Sequence, residues 1–141
     1  MTHPLTNDQV SVFVFGGKAI FTLRNNATGN RFTYKLTRKK EIKEGERDVV
    51  FVKVLSRPNN TSDYTFLGTI FDRSEYKHSP KSPFGADCQS SKVIGWFVKN
   101  MSRLPEQIEV WHEGRCGICG KRLTDPESIS LGFGPKCRGG I

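Results

Sequence analysis

Arg31-Phe32-Thr33-Tyr34-Lys35-Leu36-Thr37 alternates polar and apolar side chains without a break. Successive residues of a strand point to opposite faces, so Phe32, Tyr34 and Leu36 would share one face and Arg31, Thr33, Lys35 and Thr37 the other. This period of two predicts a strand with one buried side. Just upstream, Ala19-Ile20-Phe21-Thr22-Leu23 is a second apolar run. The two are joined by Asn25-Asn26-Ala27-Thr28-Gly29-Asn30, and Asn and Gly tolerate the positive φ of a hairpin turn. Val49–Leu55 is apolar on nearly both faces, as an interior strand requires. Tyr64–Phe71 reads as a fourth strand and Val10–Phe15 as a candidate fifth. The connections are short, which favours antiparallel pairing, because parallel crossovers need a dozen or more residues.

Residues 73–90 read as a loop, with Pro80 and Pro83 and little apolar content. A helix follows. Ser90 or Ser91 can cap it, and Val93, Ile94, Phe97 and Met101 fall on one face, with Trp96 flanking that stripe. Pro105 ends it, and Gln107–Trp111 is a short extended link. The expected fold class is α+β: an antiparallel sheet of four or five strands, one packed helix and a C-terminal zinc knuckle. The expected division is a sheet domain over 1–109 and a zinc-binding tail over 110–141.

The chain has 141 residues, a size that can bury a real core. Ten Phe, three Tyr and two Trp argue against disorder. No stretch approaches the roughly 18 apolar residues of a spanning helix, and the first twenty residues do not read as a secretory signal. A cytoplasmic location is therefore expected. The net charge is +8, and residues 31–57 hold nine Lys/Arg against four acids. Such a segment attracts polyanions by Coulomb force and counterion release.

The tail carries the most specific chemistry. His112, Cys116, Cys119 and Cys137 have the spacing H-x3-C-x2-C-x17-C. Two cysteines separated by two residues can aim both thiolates at one metal, and three sulfurs with one imidazole make a closed tetrahedral zinc site of the structural kind. Cys88, 28 residues before Cys116, is the competitor for the fourth position. Thr124 or Asp125 can cap a helical turn that Pro126 begins. Leu123, Ile129, Leu131 and Phe133 can form a small core beneath the metal.

The segment from Trp111 to Ile129, closed by Gly132-Phe133-Gly134-Pro135-Lys136-Cys137, resembles a family of phage and bacterial proteins of unknown function. Its signature is Cys-x-x-Cys-Gly-Arg-x-Leu-Thr-x-Pro-x-Ser followed by Gly-x-Gly-Pro-x-Cys. Lys121 stands where Arg is usual and Phe133 where Ile is usual. Residues 51–55 and 60–70 also resemble longer members. The resemblance implies a zinc-binding tail and a phage or mobile-element origin, and it implies no activity.

No Ser/His/Asp set, phosphate-binding loop or second His/carboxylate cluster is visible, so no enzyme is expected. The expected function is nucleic-acid binding, DNA or RNA, through a basic surface. Its candidate contacts are Arg31, Lys35, Arg38, Lys39, Lys40 and Lys53 in the sheet region, and Arg115, Lys121, Arg122, Lys136 and Arg138 in the tail. The alternative is a protein-interaction factor that modulates a host enzyme or defence complex. Phe32 and Tyr34 would stack on bases only if their face stayed open, and their alternation points to a core role instead.

Overall fold

The structure, a computed structural model, describes residues 3–39, 41–58 and 62–139. Strand β1 (His3–Pro4) leads into helix α1 (Asn7–Val14). Four long strands then meander: β2 (Lys18–Asn25), β3 (Arg31–Arg38), β4 (Val49–Leu55) and β5 (Tyr64–Phe71). A short edge strand, β6 (Glu75–His78), precedes helix α2 (Gln89–Asn100). Strand β7 (Ile108–His112) and two short helices, α3 (Pro126–Leu131) and α4 (Pro135–Arg138), complete the order. All pairings are antiparallel, in one seven-stranded sheet of order β1-β7-β2-β3-β4-β5-β6. Helix α2 carries the chain from the β6 edge back across the sheet, so that β7 enters between β1 and β2.

The antiparallel sheet is as expected, but among the described residues it has seven strands rather than four or five, and four helices accompany it rather than one. Val10–Phe15 belongs mostly to α1, not to a strand. Its start is fixed by a capping box in which the Gln9 side chain accepts the Thr6 N–H. Glu75–His78 lies in the segment read as loop. Only its Tyr76 packs on the core, so an edge strand there leaves little apolar pattern. It approaches β5 closely at Gly68, where a Cβ would run into the Lys77 carbonyl.

The core lies on one face of the sheet. Ala19, Phe21 and Leu23 of β2, Tyr34 and Leu36 of β3, and Val50, Val52 and Val54 of β4 are all buried. Helix α2 covers them with Ile94, Phe97 and Val98. The Phe21 and Phe97 rings lie 5.8 Å apart, and the Tyr34 hydroxyl donates to the Ser90 carbonyl at 2.7 Å. Tyr34 is thus a core residue, and Phe32 packs half-buried beside it. The cysteine tail joins the same core. Phe13 of α1 is buried between His112 and Phe133, with ring centroids at 5.6 and 5.8 Å. The expected boundary at 109/110 falls inside β7, whose neighbours are β1 and β2. No helix among the described residues is long and apolar enough to cross a membrane.

Candidate metal centre and basic sheet face

The tail builds its site from tight turns. The Cys116 N–H donates to the Lys121 carbonyl at 2.8 Å, and the Gly120 N–H to the Cys116 carbonyl at 2.9 Å. Gly120 sits at φ +79°, a left-handed conformation that glycine adopts without steric cost. This turn places Cys116 and Cys119 side by side. The chain then runs through α3, capped by the Asp125 side chain, which accepts the Ser128 N–H at 3.0 Å. Gly132 ends α3 in the left-handed region, and Pro135 opens α4, which presents Cys137.

The sulfurs of Cys116, Cys119 and Cys137 all lie within 4.8 Å of one another. Sulfurs sharing one zinc at about 2.3 Å sit roughly 3.8 Å apart, so the three fit a common ion. Burial pushes the Cys116 thiol up, but N–H groups of Cys119, Gly134 and Ile118 outweigh it and hold the thiol at about 7. Cys137 is pushed up to about 11 by burial and then by its two cysteine neighbours. A bound cation would reverse that repulsion, because it stabilises all three thiolates at once.

His112 is placed elsewhere. It is fully buried and stands outside the cysteine cluster. Its Nδ1 accepts the Gly114 N–H at 3.0 Å, and its Nε2 donates to the Ile129 carbonyl at 2.5 Å. Its ring packs 4.9 Å from His3. Burial, more than any other cause, lowers its pKa and keeps it neutral. The imidazole therefore braces β7 against α3 instead of joining the sulfurs. Cys88 is also outside the cluster, at the N-cap of α2, with its Sγ 3.5 Å from Ser90 Oγ. Among the described residues, the structure brings together three of the four expected ligands.

The second candidate site is the face of the sheet opposite the core. Strand alternation places Ile20, Thr22 and Arg24 of β2, Arg31, Thr33 and Lys35 of β3, and Phe51 and Lys53 of β4 on it. Tyr64 and Phe66 of β5 and Trp111 of β7 share it. Thr22 is buried and bonded to Thr33 Oγ1 at 2.7 Å and to Glu113 Oε1 at 2.5 Å, whereas the other residues named are half-buried or exposed. The register puts Arg24 directly opposite Arg31, and Lys35 directly opposite Lys53. Like charges in facing positions repel. Glu109 flanks Arg24 on β7, yet no ion pair closes between them. Lys35 Nζ instead lies 5.6 Å over the Tyr64 ring. Burial and then Glu113 push the Tyr64 phenol up to about 12. Tyr64 Oη and Trp111 Nε1 are covered and have no hydrogen-bond partner among the described residues.

The remaining basic candidates divide. Arg38 is held by Asp48 through two bonds of 3.1 Å, and Lys39 pairs with Glu46 at 2.8 Å. Arg115 donates to the Gly120 carbonyl at 3.2 Å and Arg138 to Ser128 Oγ at 3.2 Å, so both serve the tail's own structure. Lys121, Arg122 and Lys136 are exposed on the tail and form no ion pairs among the described residues. Lys40 lies outside the described residues. The aromatics of the open face were not singled out from sequence. Phe51, Tyr64 and Phe66 sit in strands apolar on both faces, and only the pairing register tells the two sides apart.

A family model described as a family of unknown function, DUF6011, matches residues 111–141, the segment that contains the three cysteines. No curated protein and no solved structure matches the chain.

Proposed function

We propose that the chain is a nucleic-acid-binding accessory protein, of phage or mobile-element type and acting in the cytoplasm, whose open sheet face carries single strands. The observation that supports this reading is the pair of like-charge contacts, Arg24 opposite Arg31 and Lys35 opposite Lys53, on a face interleaved with Phe51, Tyr64, Phe66 and Trp111. Each facing pair of like charges costs a few tenths to about 1 kcal/mol in isolation. A phosphate backbone relieves that repulsion, and the aromatic rings offer π-faces to unstacked bases. Cys116, Cys119 and Cys137 hold a structural zinc that locks the tail, and no catalytic role is assigned to it.

Fluorescence anisotropy with labelled single-stranded DNA, duplex DNA and single-stranded RNA tests the reading. Micromolar or tighter binding of a single strand, falling steeply with salt, supports it. Absence of binding at low salt would return the basic face to an acidic protein partner.

A further inference from the structure

A second, separate cleft opens on the core side of the sheet, where α2 meets the end of the β2–β3 hairpin. Its volume is about 380 Å³, within the usual range for small-ligand sites. Phe32, Val93 and Ile108 form an apolar floor, and Trp96 stands as a wall, with 39% of its surface exposed. Val93 and Trp96 share one face of α2 with Lys92, which the sequence pattern of a core helix does not require. Lys92 lines the cleft and forms no ion pair among the described residues, while Arg24 borders it from β2 with its side chain on the open face. The side-chain amides of Asn30 and Gln107 also line it and are committed to no partner among the described residues.

We infer that this cleft binds a nucleotide: a planar base stacked on Trp96, its edge read by the amides, and its phosphate held by Lys92. The combination of features selects that class. An indole face with an apolar floor accepts a flat heteroaromatic ring. Amides offer both donors and acceptors to a base edge. The unpaired Lys92 ammonium matches a phosphate. A purely apolar ligand would leave that ammonium and the amides desolvated without partners. Arg24 stays on the open face, and the cleft lies on the other side of β2 at the hairpin end, so a bound strand could turn its end or an unstacked base around that end into the cleft. The inference thus deepens the nucleic-acid reading, but it makes a separate prediction about free mononucleotides.

The test follows Trp96 fluorescence in a Trp111→Phe background, which leaves Trp96 as the single tryptophan. AMP, GMP, CMP and UMP are titrated, with ribose 5-phosphate and inorganic phosphate as controls. Saturable quenching by at least one mononucleotide, with none by the controls, is expected. Lys92→Glu should weaken it by about tenfold or more. Trp96→Leu, an exposed position that should leave folding intact, should abolish binding seen by ligand-observed NMR. Equal responses to ribose 5-phosphate, no quenching by any mononucleotide, or an unchanged affinity in Lys92→Glu would each overturn the inference. Oligonucleotide binding without mononucleotide quenching would overturn the cleft alone and leave the sheet-face reading standing. Mononucleotide quenching without oligonucleotide binding would do the reverse.

Discussion

Replacing Phe13 by Ala asks whether the cysteine tail and the sheet are one cooperative unit. Phe13 is fully buried and its ring faces His112 and Phe133. Side-chain carbons built at Gly117 and Gly132 would lie 2.8 and 2.7 Å from its Cδ2, so two backbone segments of the tail rest directly on the ring. Truncating a buried Phe costs about 3–5 kcal/mol. The glycines have no side chains to swing into the space, and their turns are tied by Gly117 N–H to Gly132 O at 3.0 Å and Lys18 N–H to Gly117 O at 2.9 Å. Collapse around the cavity is therefore poor, and the upper part of that range is expected, about 4–5 kcal/mol. For a chain of this length the melting temperature should fall by roughly 12–20 °C. Urea unfolding followed by far-ultraviolet circular dichroism measures the loss, and a chelator competition measures metal retention in parallel. The midpoint should drop at constant m, with metal released more readily. A loss below about 1 kcal/mol, or a native protein whose tail and sheet unfold in separate transitions, would refute the single-core argument.

Further outcomes follow from the site geometry. Native mass spectrometry should find one zinc per chain in the purified protein and none in Cys116→Ser. His112→Ala should keep its zinc while losing about 2–4 kcal/mol of stability, because it deletes a buried ring and two hydrogen bonds; loss of the metal with the fold retained would make His112 a ligand. Burial works against ionised Asp48, but hydrogen bonds from Arg38 and Arg73 prevail and lower its pKa. Its stabilising contribution is then complete above the unfolded carboxylate value near 3.9 and fades as pH falls through the lower folded value. Asp48→Asn should lose stability at neutral pH and show a shallower acid decline, measured by thermal melts from pH 7 to pH 2; an unchanged profile would remove Asp48 from the account.

How much of this was legible in the sequence depends on what each pattern encodes. Strands β2 to β5 and helix α2 declare themselves because each buries a regular stripe. The hairpin turn is equally plain: Gly29 sits at φ +77° and the Asn25 N–H donates to the Asn30 carbonyl at 2.9 Å. Helix α1 is misread as a strand because the exposed Val12 fills the gap between Val10 and Phe13 and hides the i, i+3, i+4 spacing of the buried Val10, Phe13 and Val14. The signal that identifies it is Thr6 followed three residues later by Gln9. The two-residue β1 and the edge strand β6 lack enough apolar positions to be seen. In the tail, the Cys-x-x-Cys turn and the Asp125 cap follow directly from local chemistry. His112 does not, because metal-ligand spacing and a buried brace look alike in sequence. Only its two backbone bonds, to Gly114 and to Ile129 17 residues away, distinguish them.

Charge reversal on the open face tests the functional reading most directly. Lys35→Glu with Lys53→Glu removes both members of one facing pair, while Lys121→Glu with Arg122→Glu changes the tail by the same total charge. Affinity for a labelled single strand is measured by anisotropy across a salt series for both double variants and the wild type. Each phosphate contact contributes about 0.7 to the logarithmic salt slope on a single strand, so losing two contacts should flatten it by roughly 1.4. The account predicts that flattening, with weakened binding, in the sheet-face variant, and a smaller effect in the tail variant. Equal effects of the two variants, or a sheet-face variant that binds as the wild type does, would contradict it.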